Sequence, residues 1–333
     1  MKTETSKRSV SKLGALALAV ALMLPSAAFA GDLVSLVPDK AVAVGMVSLE
    51  ELRTSPLGGR LFDNTDKITT DGEAAQFLAR AGLDPAKDID NLLIAVTPEV
   101  GNPNDGEILL VAEGRFKVDR LSDAVASEGA IAQAAHGKTY FLLPDDEDDD
   151  EDEKNGAAAF VSGSLAFAGT EQAVVDALGA LAAGGTNFRS ASTIGREMGL
   201  IDSKATAWLL LDVQRASRMK NSPTVSVGGG HEDKFGAAFK HVSTVGIWGR
   251  DAGSALVFGG TALTADSETR ELLEDTIRGF FAMLRLGASE EHPEWVDVIR
   301  GFDVKRTSEG VSVTGSIPGS LLEKTASKLA DGR

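Results

Sequence analysis

A chain of 333 residues without a cysteine can use no disulfide staple, thiolate metal site or cysteine nucleophile. Its formal net charge of −16 at pH 7 repels phosphate backbones and anionic headgroups, which excludes a nucleic-acid role. Hydrophobic content of 43% is enough for a folded core, and 5% aromatic residues argues against a carbohydrate-stacking surface.

The first thirty residues read as a cleavable secretory signal. Lys2, Lys7, Arg8 and Lys12 form a basic leader, Leu13 to Leu24 is an apolar run, and Pro25 breaks it. Ala28 and Ala30 put small residues at both specificity positions, so cleavage is expected between Ala30 and Gly31. The run is shorter than the roughly 20 residues of a membrane span. No cysteine follows it to carry a lipid anchor, and no later segment approaches a span. The expected product is periplasmic or secreted, and loss of the basic leader makes it more acidic still.

Beyond the signal the elements recur in one order. Ala41 to Ser48 alternates as a strand and runs into a helical pattern over Leu49 to Phe62. A second helix spans Glu73 to Ala81, ended by Gly82 and the Asp84-Pro85 turn. Asn91 to Thr97 and Glu107 to Phe116 read as a hairpin around a Pro98–Gly106 loop. Val118 to Glu128 is helical, Thr139 to Leu143 and Ala157 to Val161 are strands, and Leu165 to Ala168 leads to a helix from Thr170 to Leu181. The second half rehearses this: strand Thr206 to Asp212, a short helix through Met219, and hairpin Val242 to Leu263. After it, Asp266 caps a helix whose Leu272, Leu273, Ile277, Phe280, Phe281 and Leu284 share one face. A hairpin over Gly301 to Ile317 and a helix from Pro318 close the chain. The expected fold is α+β: two similar strand–helix, hairpin–helix, hairpin–helix units, mainly antiparallel sheet with helices packed on one face. The units are placed at residues 31–190 and 191–333, with an acidic loop at 145–153 in the first.

That loop, DDEDDDEDE, is the most conspicuous candidate for chemistry, and Asp148, Asp150 and Asp152 are its candidate ligands for a loosely held cation. It lacks the glycine and glutamate that fix an EF-hand, so a solvated insertion is the stronger reading. Gly137-Lys138-Thr139 resembles the tail of a P-loop, but Ala132 stands where the first glycine belongs. Ser217-Arg218-Met219-Lys220 matches S-x-x-K without the companion elements of the penicillin-recognising enzymes. His136, His231, His241 and His292 have no ligand spacing. No catalytic residue and no cofactor is predicted. Trp248, opposite in phase to Val245 and Ile247, is expected on the other sheet face.

Leu36-Val37-Pro38 with Ala41 to Val47 and Leu52 to Gly58, then Gly82-Leu83-Asp84-Pro85, Asp88-Ile89-Asp90 and Glu113-Gly114-Arg115-Phe116, resembles a group of uncharacterised exported bacterial proteins. The resemblance covers most of the first half and implies export and a two-part α+β fold, without an activity. The expected function is a non-catalytic envelope protein that binds a protein or small ligand through its sheet surface or loops. Rival expectations are a carrier of lipid or another apolar molecule, and a hydrolase in which acids such as Asp84, Asp88 and Asp90 converge.

Overall fold

Alternation in Ala43–Ser48 (β1) sends Val44 and Met46 to one side and Gly45 and Val47 to the other, and this parity propagates across the whole sheet. A computed structural model describes residues 33–55, 58, 73–144, 154–219, 241–322 and 324. Residues 1–32, with the signal and the Ala30–Gly31 cleavage point, lie outside them, as do the acidic loop with Asp148, Asp150 and Asp152, residues 220–240, and the end of the chain.

The remaining strands are Ile89–Glu99 (β2), Asn102–Gly114 (β3), Ile131–Ala135 (β4), Lys138–Leu142 (β5), Gly156–Ser162 (β6), Leu165–Thr170 (β7), Ala207–Asp212 (β8), Val242–Asp251 (β9), Ala255–Thr264 (β10), Asp303–Arg306 (β11) and Gly310–Pro318 (β12). They form one twelve-stranded sheet in the order β11-β12-β10-β9-β8-β1-β2-β3-β7-β6-β5-β4, with antiparallel neighbours throughout. Read outward from the central β1–β8 pair, one half runs β1-β2-β3-β7-β6 and the other β8-β9-β10-β12-β11. The two similar units thus merge into a single sheet, and β4–β5 is an extra hairpin on the first.

The α-helices whose bounds lie within the described residues are Leu49–Thr54 (α1), Glu73–Ala81 (α2), Pro85–Asp88 (α3), Val118–Ser127 (α4), Glu171–Ala182 (α5), Phe188–Ala191 (α6), Val213–Ala216 (α7), Ser267–Glu291 (α8) and Val296–Arg300 (α9). Local chemistry sets their ends. Gly82, at φ 62°, closes α2 while Leu83 N–H reaches back to the Leu78 carbonyl. Asp84 caps α3 through Ala86 N–H, with Pro85 at its first position. Asp212 caps α7 through Arg215 N–H at 2.9 Å, and Asp266 caps α8 through Thr269 N–H at 2.6 Å.

Helix placement differs between the faces. On the first face, Ala173, Val174, Ala177 and Leu178 of α5 lie over Leu109, Val111 and Phe167, and with Val34, Val37, Phe188, Ile194 and Ile201 of two short flanking segments and Val44, Leu93 and Leu210 of the central strands they form the largest core. Trp248 belongs to this face, packed beside that core, and Gly259 leaves room for its indole, which an added Cβ would meet at 2.5 Å. The helices that follow the first hairpin of each unit both pack on the second face. There Leu121 and Ala124 of α4 lie against Ala166 and Phe160, and Leu273, Ile277 and Phe281 of α8 against Ala262, Val311 and Val304.

Four sequence expectations change. Helices do not pack on one face alone: α5 lies on the first face, and α4 and α8 lie on the second. The Pro98–Gly106 loop is mostly ladder: Pro98 pairs with Gly106 and Glu99 with Asn102, with a register irregularity between them. Residues Ile131–Ala135, read from sequence as the approach to a failed P-loop, form β4, and Gly137 sits in its turn to β5. Leu272 and Leu284 do not join the buried stripe of α8 but are 52% and 39% exposed.

Candidate apolar binding face

Aliphatic side chains at the centre of the second face are where the structure departs from a sealed core. Three rows cross the strands there. The first runs through Leu92, Val47 and Ala207, and α1 covers it with Leu49 and Leu52. The second runs Ile108–Val96–Ala43–Leu211–Val245. Val213 of α7 packs beside Val245, and the Met219 methyl reaches Gly106, whose added Cβ would lie 2.4 Å from it and 3.3 Å from Val96.

Between them runs the middle row, Leu110–Ile94–Gly45–Leu209–Ile247–Gly260. Leu209 is 38% and Ile247 47% exposed, and Ile108 in the neighbouring row is 42% exposed. Gly45 lets Ile94 and Leu209 approach each other: a Cβ there would stand 3.4 Å from a methyl of each. Six strands at the usual spacing make this row about 24 Å long. The floor has no unpaired backbone to offer, because every strand in it is bonded on both sides. It is therefore an aliphatic slot, with α1 along one side and α7 along the other.

One end of the slot is walled by α8. Arg278 donates to the Val304 carbonyl at 2.6 Å, and Glu274 and Glu271 bond Arg306, so this flank faces β11. Hydrogen bonding from Arg278, together with the Arg306 charge, holds the Glu274 carboxyl below the usual carboxylate range. At 3.6 residues per turn, Leu272 and Met283 fall on the opposite flank, toward the slot. Both are exposed, Met283 at 45%.

The acids singled out from sequence do not converge. Asp88 accepts from Asp84 N–H at 2.8 Å, and Asp84 pairs with Lys87 at 2.5 Å. Asp90 is clamped by Arg53 and Arg115, whose guanidinium groups also hold the Ile89, Ala86 and Lys87 carbonyls. This cluster fastens α1 and α3 to β2 and β3. Lys154 bridges Glu99 and Glu107; burial works against its charge, but hydrogen bonds to both acids outweigh that and raise its pKa. Ser217 is exposed and donates to the Gln214 carbonyl, and Lys220 lies outside the described residues. Among the described residues no three His, Asp or Glu side chains gather closely enough to hold a metal ion. No described helix is long and apolar enough to cross a membrane.

The middle row had a sequence signal that alternation alone does not use. Trp208-Leu209-Leu210-Leu211 is apolar at consecutive positions, which marks a strand apolar on both faces.

No family model and no curated protein matches the chain. Among solved structures it is similar to crystal form III of TP0453 at 10% identity and TM-score 0.47, covering 89% of this chain and 97% of that one. Crystal forms I and IV give 9% and 8% identity with TM-scores of 0.44 and 0.45 over 96% of those chains and 89% and 88% of this one.

Proposed function

We propose that this chain is an exported, non-enzymatic binding protein that lays the acyl chain of a small amphiphile in the slot on the second sheet face. The observation that carries the reading is the middle row, where Leu209 and Ile247 stand side by side, both exposed, on a floor of aliphatic groups and glycine. Exposed apolar area at the centre of a sheet costs solvation free energy unless something covers it. Its composition narrows the occupant. The floor offers neither hydrogen bonds nor aromatic or arginine anchors, the groups that dominate protein–protein hot spots. It suits a featureless hydrocarbon, and Met219 and Met283 at its margins are adaptable contacts. The acidic surface favours an amphiphile with a neutral or zwitterionic headgroup over an anionic one.

The test is titration of the purified protein with the neutral fluorophore N-phenyl-1-naphthylamine, displaced by a lysophosphatidylcholine. Ile247→Gln and Leu209→Gln each place an amide on the floor and are expected to weaken probe binding about fivefold to tenfold, for roughly 1–1.4 kcal/mol of lost contact. Absence of probe binding to the unaltered protein, or unchanged affinity in both variants, would sink the proposal.

A further inference from the structure

The two edges of the sheet are finished differently. At one end β11 is four residues long and charged, with Asp303, Lys305 and Arg306 among them. Arg306 is engaged by Glu271 and Glu274, and the Val304 carbonyl is occupied by Arg278. Short length and charge are the usual protections of an edge. At the other end β4, Ile131-Ala132-Gln133-Ala134-Ala135, has no charge, no proline and four exposed residues in a row. Its hairpin is held to the body: the His136 ring lies against Gly179 of α5, where an added Cβ would be 3.0 Å from Nε2, and Tyr140 OH donates to Glu171 at 2.8 Å. The edge is thus presented on a supported strand.

The turn determines which backbone groups face outward. His136 and Gly137 both have positive φ, 49° and 75°, between the paired residues Ala135 and Lys138. This is a two-residue type I′ hairpin, whose closing pair exchanges both backbone hydrogen bonds. Bonding then alternates along the ladder, so Ile131, Gln133 and Ala135 bond β5. Ala132 and Ala134 turn their N–H and C=O groups outward.

We infer that β4 is a self-association edge, pairing antiparallel with β4 of a second copy about a two-fold axis at Gln133. The outward set maps onto itself in this register: Ala132 meets the second copy's Ala134, and each pair exchanges two backbone hydrogen bonds. Ile131 falls opposite the small Ala135, so large meets small. The two Gln133 residues meet as a non-hydrogen-bonded pair, where their amides can serve each other as donor and acceptor. No charged residue of the strand meets a like charge. Short edge pairing gives a modest interface, so the association is concentration-dependent, and salt strengthens it by screening the acidic bodies.

The test uses sedimentation velocity on the purified protein over a concentration series, with two variants. Ala134→Pro removes an outward N–H that the hairpin does not use, so the fold persists while the dimer is lost. Gln133→Cys introduces a lone cysteine into a chain that has none, at a pair whose Cα separation suits a disulfide. It is expected to cross-link between copies on oxidation faster than Lys305→Cys on the protected edge. A protein that stays monomeric across the series overturns the inference. So does a dimer indifferent to Ala134→Pro, a Gln133→Cys chain that cross-links no faster than the Lys305→Cys control, or a β4-dependent complex formed only with a different protein.

Discussion

The first face of the sheet over β1, β2, β3 and β7 and the second face at the centre are built from the same kind of residue, yet one is sealed and the other open. Phe167 on the first face is 1% exposed beneath α5, while Ile247 on the second is 47% exposed. Both strands supply aliphatic or aromatic groups at alternate positions. The difference lies in where helices land. The turn after β7 feeds α5 straight back across its own strands, and the segments 33–37 and 188–201 complete that cover, whereas on the second face, among the described residues, α1 and α7 cover only the rows at either side of the slot. Apolar character therefore identifies what can be buried, and where the covering segments fall decides what is.

That contrast can be broken by mutation. Phe167→Ala should cost about 3–5 kcal/mol in chemical denaturation, the range for emptying a sealed aromatic site. A loss under about 1 kcal/mol would mean that the first face is not the sealed one. Ile247→Ala removes an apolar group from the open row and should cost only about 1 kcal/mol, since about half of its area is already in water. A large loss there would show that the slot is closed in solution.

The smallest effect concerns the wall of the slot. Hydrogen bonds from the Thr269 hydroxyl and backbone N–H hold the Asp266 carboxyl at the start of α8 below its ordinary value, and Arg278 and Arg306 do the same for Glu274. Groups with lowered folded pKa values bind fewer protons folded than unfolded. Their stabilisation is present above the ordinary carboxylate range and is lost as pH falls through the lowered values. Amide exchange in α8, corrected for intrinsic rates, should therefore accelerate below about pH 4 more than exchange in α5, which lies on the sealed face. Equal protection of both helices in acid would contradict this.

Much of the architecture was legible because it is local. Alternation marked β1, the β9–β10 hairpin and β12; Asp266 was a readable cap; and Gly82 and Asp84-Pro85 marked a helix end and a turn. The strand β4 was not legible, since Ala-Gln-Ala-Ala has low strand propensity and its conformation comes from pairing with β5. The polar ladder beyond Pro98 was hidden for the same reason: its residues are those of a loop, and register with the opposite strand makes them a strand. The slot was only half legible. The consecutive apolar run at Trp208–Leu211 shows that both faces of β8 are apolar, but not which one a helix would leave bare.

Sequence by itself determined the α+β class, the repeated order of strands and helices, and an acidic chain without thiol chemistry, because periodicity, caps and composition act within a few residues. Tertiary structure decided that the two units share one twelve-stranded sheet through β1 and β8. It also decided that the acids near Asp90 are structural ties, and that among the described residues the centre of one face is left uncovered and one edge is guarded while the other is bare. Those outcomes depend on which strands become neighbours and where helices fall, and contacts between residues far apart in the chain settle both.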